Sequence, residues 1–144
     1  MKKLLCILVV SILSQVIFAA PRYHFSNLSV KDGLSQLNVT CIYQDKQGYM
    51  WFGTRNGLNK FNGNSFEIFW NHADDPHSIS SNTIACITED AEANLWIGTE
   101  NGLNKLDKSR NSFKRYYLTH KTDSMNNKIL SLYLDKENIL WVGT

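Results

Sequence analysis

The chain has 144 residues, of which 43% are apolar, 12% aromatic and 19% charged. This content supports a folded core and excludes a disordered or collagen-like chain. Fifteen basic against thirteen acidic side chains leave a formal charge of +2, without the basic surplus that phosphate neutralisation requires, so no nucleic-acid partner is expected. Three cysteines are too few, and odd in number, for a disulfide framework.

Met1, Lys2 and Lys3 precede a mostly apolar run over residues 4–20 that ends in Ala19 and Ala20. A positive start, an apolar middle and small terminal residues make up a secretory leader. The run is short for a spanning helix, which takes about 20 apolar residues. The sequence therefore predicts a signal peptide over 1–19, with cleavage after Ala19. An uncleaved N-terminal anchor is the alternative. Removing the leader removes Lys2 and Lys3, so residues 20–144 carry 13 basic and 13 acidic side chains.

Trp51, Trp96 and Trp141 are spaced by 45 residues twice over, and WFGTRNGLNK at 51–60 returns as WIGTENGLNK at 96–105. WVGT at 141–144 opens a third copy. Asp45, Asp90 and Asp135 each stand six residues before their tryptophan. Fixed-period similarity of this length is the signature of stacked structural units.

Each unit reads as four short strands. In the first copy they are predicted over 39–44, 49–54, 58–61 and 65–70. Asp45-Lys46-Gln47-Gly48 makes the first turn, and Asn56-Gly57 is read as a tight hairpin in which both residues accept positive φ. The second copy follows the same plan, with a longer turn at 107–111 and a shorter loop after it. Four strands in about 45 residues predict an all-β fold, a β-propeller of four-stranded antiparallel blades. The units fall at about 25–70, 71–116 and 117–144, which makes about two and a third blades and an incomplete wheel. Cys41, Cys86 and Ser131 occupy one equivalent small-residue position, where first strands converge on a central axis.

The aspartates recur once per unit, so they read as turn-holding scaffold rather than as a carboxylate array; a catalytic site is normally built once. The same reading covers Trp51, Gly53, Thr54 and Gly57, then Trp96, Gly98, Thr99 and Gly102, then Trp141, Gly143 and Thr144. Cys41 and Cys86, at equivalent positions in successive units, are expected to be buried free thiols. The least repetitive stretch is the crossing loop after the first unit. Trp70, His72, Asp74, Asp75 and His77 are its candidate ligand-binding residues, because loops on one face of a propeller carry binding. Their spacing fits no standard metal-ligand set. The equivalent loop of the second unit carries His120, Lys121, Thr122 and Asp123. No nucleophile with its base is recognisable, so no catalytic residue, metal or cofactor is expected.

The segments VTCIYQDKQGYMWFGTRNGL and IACITEDAEANLWIGTENGL, with ILSLYLDKENILWVGT opening another copy, resemble the two-component regulator propeller repeat. The start FSNLSVKDGLSQLNVTCIYQD, residues 25–45, is similar to the mature start of Bacteroidetes hybrid two-component sensors. Ala93 and Asn138 replace the turn glycine found at Gly48, which is expected to weaken those turns.

The resemblance implies a periplasmic sensor propeller in a receptor anchored in the inner membrane. In that family the propellers are followed by a β-sandwich, a membrane span and a cytoplasmic histidine kinase. It implies an oligosaccharide or other carbohydrate-derived ligand, a homodimeric receptor, and no catalysis by the propeller segment itself. The alternatives are a propeller enzyme resembling a streptogramin lyase and a purely protein-binding propeller. With its third copy cut at Thr144, the chain is expected to be the N-terminal part of a longer sensor, to leave blade faces open and to aggregate or partly unfold when isolated.

Overall fold

The computed structural model describes residues 23–109, 111–118 and 127–144. The leader predicted over 1–19, and the second crossing loop with His120, Lys121, Thr122 and Asp123, lie outside the described residues.

Among the described residues, ten strands form three antiparallel sheets. The first is β1 (Val39–Gln44), β2 (Met50–Thr54), β3 (Gly57–Phe61) and β4 (Phe66–Phe69), paired in that order. The second repeats it with β5 (Ile84–Glu89), β6 (Leu95–Thr99), β7 (Gly102–Asp107) and β8 (Ser112–Tyr116). The third holds β9 (Ser131–Leu134) and β10 (Leu140–Gly143). The described residues contain no α-helix; a single 3-10 turn, Val30–Asp32, is capped by Ser29.

Four strand ends differ by one residue from the sequence reading: β3 starts at Gly57, β4 ends at Phe69, and β2 and β4 each start one residue later than expected, for a local reason. The N–H of Tyr49 is taken by the Asp45 carboxylate at 3.0 Å, and that of Ser65 by Asn62 Oδ1 at 2.8 Å. Both residues belong to turns, so β2 starts at Met50 and β4 at Phe66.

The β2–β3 hairpin also needs correction. Gly57 sits at φ +114°, whereas Asn56 is not among the positive-φ residues. The corner residues are Arg55 and Asn56, and Thr54 pairs with Gly57. Only the residue after the corner is left-handed, which fits a type I corner followed by glycine rather than two left-handed residues. Thr54 Oγ1 accepts from Asn56 N at 3.0 Å and donates to Gly57 O at 2.9 Å, holding the corner. Thr99 holds the second hairpin with the same two bonds.

β1 packs on β5 and β5 on β9, making these the innermost strands. Thr40 Oγ1 donates to Ile84 O at 2.7 Å, joining the first two. Each blade therefore has a leading face toward the blade after it and a trailing face toward the blade before it. Register places Tyr43, Trp51 and Lys60 on the leading face of the first blade, and Ile42, Phe52 and Asn59 on its trailing face.

The core lies between the leading face of the first blade and the trailing face of the second. Trp51, Leu58 and Phe69 meet Leu95, Ile97, Leu106 and Phe113 there, with Ile79 and Ile84. Phe69 stacks on Trp51 with centroids 5.9 Å apart and meets Phe113 edge-on at 5.6 Å. Each fully buried aliphatic side chain stabilises the fold by roughly 2 kcal/mol. Gly53 marks a close approach of the blades: a Cβ there would lie 2.5 Å from Cys41 Sγ and 2.7 Å from Ile84 Cγ2. Gly98 repeats this against Cys86 and Ile129.

Candidate functional site

The crossing loop between β4 and β5 is tied to the blades at several points. Its first residue, Trp70, lies across the Gly57 hairpin and donates from Nε1 to Asn56 O at 3.1 Å, with its ring still partly exposed. Asn71 Nδ2 reaches Ile79 O at 2.7 Å, closing the loop on itself. Arg115 anchors the far end from β8: Nε donates to Ser78 O at 2.7 Å, and Nη2 to Asp75 O at 2.7 Å and Ser78 Oγ at 2.6 Å. A guanidinium in contact with three backbone carbonyls, that of Ile79 at 3.4 Å included, and a hydroxyl fixes the loop path through several directional donors.

The five candidate side chains are exposed on this loop. Asp75 is partly engaged, its Oδ1 accepting from His77 N at 2.8 Å as an Asx turn. His77 alone among the five borders a cleft of about 980 Å³, whose charged lining is Lys105, Lys108, Lys114 and Arg115 with Glu92 and Asp107, and which Tyr117 also lines. Lys105 sits over the Trp96 ring at 5.2 Å and Lys114 over Tyr116 at 5.1 Å. Trp70, His72, Asp74 and Asp75 do not line the cleft. No group of three metal-ligating side chains occurs among the described residues.

The repeated residues form two linked polar systems. Asp45 Oδ1 accepts from Gln47 N and Tyr49 N, both at 3.0 Å, and Oδ2 accepts from Trp51 Nε1 at 2.9 Å. Lys108 Nζ lies 3.2 Å from Asp45 Oδ2 and 2.8 Å from Glu89 Oε1, so a lysine of the second blade bridges carboxylates of both. Glu89 Oε2 also accepts from Lys46 N at 2.8 Å. Burial would raise the Asp45 carboxyl pKa, but donation from Trp51 and Lys108 outweighs it and holds it below the usual carboxylate value. Burial would lower the Lys108 pKa, and contact with Glu89 and Asp45 raises it instead.

A second system was not apparent from the sequence. Asn59, fully buried, donates from Nδ2 to Ser35 Oγ at 2.8 Å, and Ser35 Oγ lies 3.0 Å from Thr54 Oγ1. Asn104, Ser80 and Thr99 repeat this chain at 2.8 and 2.9 Å. The signal was present in the second asparagine of each NGLNK segment, at the same register in both copies.

Cys41 and Cys86 are free thiols. Burial pushes the Cys41 thiol up, and burial together with the neighbouring Cys41 pushes Cys86 up to about 11.

A family described as two component regulator propeller matches residues 33–56, 78–101 and 123–144. A histidine kinase of Formosa agariphila is 52% identical over 56 residues, 39% of this chain and 4% of the kinase. The extracellular domain of a hybrid two-component system from B. thetaiotaomicron superposes with a TM-score of 0.72 at 31% identity. That match takes in 83% of this chain and 17% of the solved one. A second extracellular domain of a hybrid two-component system from that organism gives 0.61 at 28% identity, over 74% of this chain and 15% of its own. The chain thus spans a small part of each relative. It is built of two-component regulator propeller repeats.

Proposed function

We propose that this chain is a ligand-sensing propeller segment of an exported two-component receptor, acting by binding and not by catalysis. The observation that carries the reading is the repeated blade, which is similar in sequence and architecture to extracellular domains of hybrid two-component systems. The residues over 1–19 direct it to the periplasm, and the receptor to which it belongs is anchored in the inner membrane.

The ligand is carbohydrate-derived. The crossing loop supports this with a partly exposed indole at Trp70 beside the polar side chains His72, Asp74 and Asp75. An aromatic face offers apolar contact, and neighbouring carboxylates and imidazoles hydrogen-bond to hydroxyls. Arg115 pre-orders the loop and so limits the entropy lost on binding. Ligand capture would then bias a receptor dimer and its kinase through differential affinity for two states, a coupling between sites.

The test is transcription. In the native host, deletion of the coding sequence for these repeats is expected to abolish induction by one glycan among a panel, and Trp70→Ala to raise the glycan concentration needed. Unchanged induction by every glycan sinks the reading.

A further inference from the structure

Asparagine is followed by glycine three times, at Asn56-Gly57, Asn62-Gly63 and Asn101-Gly102. Such a pair is chemically labile, because glycine has no Cβ to keep its backbone nitrogen away from the asparagine amide carbon. The three pairs are alike in sequence and unlike in the fold. Gly57 and Gly102 are buried in their hairpins, and their N–H groups donate to Asn82 O and Asn127 O, each at 2.8 Å. Trp70 packs against Gly57, and Tyr117 against Gly102. Gly63 is exposed, and its N–H has no acceptor among the described residues. Apart from its chain neighbours, no atom lies within 4 Å of where its Cβ would stand.

The Asn62 side chain is held in the turn between β3 and β4. Its Oδ1 accepts from Asn64 N at 2.9 Å and from Ser65 N at 2.8 Å. These donors sit on the oxygen that gains negative charge when a nucleophile adds to Cγ, the arrangement of an oxyanion hole. Nucleophilic nitrogen, electrophilic carbon and charge-stabilising donors thus share one turn. Solvent reaches this turn within stacked blades. The equivalent turn of the second blade is exposed at Asp107 and Ser109 even though the first blade flanks it through Lys108 and Asp45.

We infer that Asn62 is a site of spontaneous conversion to aspartate and isoaspartate, with water as the co-reactant. Hydroxide removes the Gly63 N–H proton, and that nitrogen bonds to Asn62 Cγ. The Cγ–Nδ2 bond breaks, Nδ2 takes a proton from water and leaves as ammonia, and a succinimide ring remains. Water then adds to either ring carbonyl. Cleavage between Gly63 N and Cγ gives aspartate; cleavage between Gly63 N and the Asn62 backbone carbonyl carbon gives isoaspartate. Either product carries one carboxylate more than the starting chain. The aspartyl product fits the turn, since Asp107 at the equivalent position accepts from Ser109 N at 3.0 Å through Oδ1. The isoaspartyl product lengthens the main chain of the turn by a methylene. The site is independent of what the chain binds.

Peptide mapping by mass spectrometry tests this. The purified chain is held at mildly alkaline pH, sampled over time and digested, with isoaspartyl and aspartyl peptides separated by retention. Asn62 is expected to convert at least about tenfold faster than Asn56 or Asn101, because each hairpin nitrogen must first lose its hydrogen bond and its aromatic cover. In urea that protection is lost, and the three pairs are expected to react within about threefold of one another. Conversion of Asn56 or Asn101 ahead of Asn62, or equal rates at all three in native buffer, overturns the inference. So does an Asn62 that stays intact, or a tenfold preference for Asn62 that persists in urea.

Discussion

Trp51 Nε1 donates to Asp45 Oδ2 at 2.9 Å, and the bond recurs between Trp96 and Asp90 and between Trp141 and Asp135, at 2.8 Å in each. The aspartate sits on the last position before a turn and the tryptophan on the strand that returns from it. One carboxylate oxygen holds turn backbone while the other holds the indole, which explains why both residues recur at a separation of six.

The bond carries different weight in each blade. Asp45 is buried and also faces Lys108, whereas Asp135 lies on the open third hairpin. Asp45→Ala leaves Trp51 Nε1 without its acceptor and Lys108 with Glu89 alone, and is expected to cost about 3 kcal/mol. Asp135→Ala is expected to have a much smaller effect, because water reaches the groups it frees. Urea unfolding of the two variants checks the order; equal losses would mean that the Lys108 bridge adds nothing.

Acid should act through the same carboxylates. Hydrogen bonds to Trp51 and Lys108, to Trp96 and Asn94, and to Trp141 overcome the opposing effect of burial and hold all three aspartates below their ordinary value of 3.8. A lowered folded pKa contributes stability that is present above the unfolded value and lost as pH falls through the folded one. The melting temperature is therefore expected to be level from neutrality to about pH 5 and to fall below about pH 4. Lys108 has the opposite sign: its raised pKa gives stability that is present below the unfolded value of 10.5 and lost as pH rises through the folded one. Asp45→Asn should flatten the acid limb of a melting curve measured against pH.

The repeat, the strand order and the turn aspartates were legible because they rest on local rules repeated at one period: β-branched runs, Asx turns and an Asn-Gly pair at each hairpin, although the corner itself lies one residue earlier than that pair suggests. The Asn59–Ser35–Thr54 chain was not, since Ser35 lies 24 residues from Asn59 and enters from the segment before the blade. Nor was the Lys108 bridge, which joins positions 63 residues apart and has no counterpart in the first blade. The crossing loop was picked out by its irregularity, but irregularity does not say where side chains point. Arg115, which holds that loop, reads in sequence as one more strand residue.

The turn that lost its glycine makes a test of local backbone. Gly48, Ala93 and Asn138 all adopt positive φ, at 91°, 64° and 62°. The left-handed region costs a residue with a Cβ roughly 1–2 kcal/mol, against which glycine loses about 0.5–1 kcal/mol more chain entropy on folding. Ala93→Gly is therefore expected to stabilise by up to about 1 kcal/mol. Asn138→Gly should gain less, because Asn138 Oδ1 accepts from Ala91 N at 3.0 Å and its Nδ2 reaches Glu92. Denaturation midpoints of the two variants check the ranking.

Gly53 is constrained by space and not by φ. An added Cβ meets Cys41 Sγ from its own blade and Ile84 from the next, so Gly53→Ala must push apart the innermost strands β1 and β5. Overpacking of this kind costs typically 1–3 kcal/mol. Cys41→Ala removes the sulfur, and in the double variant part of the loss should return, while Ile84 keeps the rest. A double-mutant cycle reads this as a coupling of about 0.5–1 kcal/mol or more between positions 41 and 53. Additive effects would place the clash entirely on Ile84, and would mean that the blade interface, not the sheet within a blade, makes glycine necessary at this position.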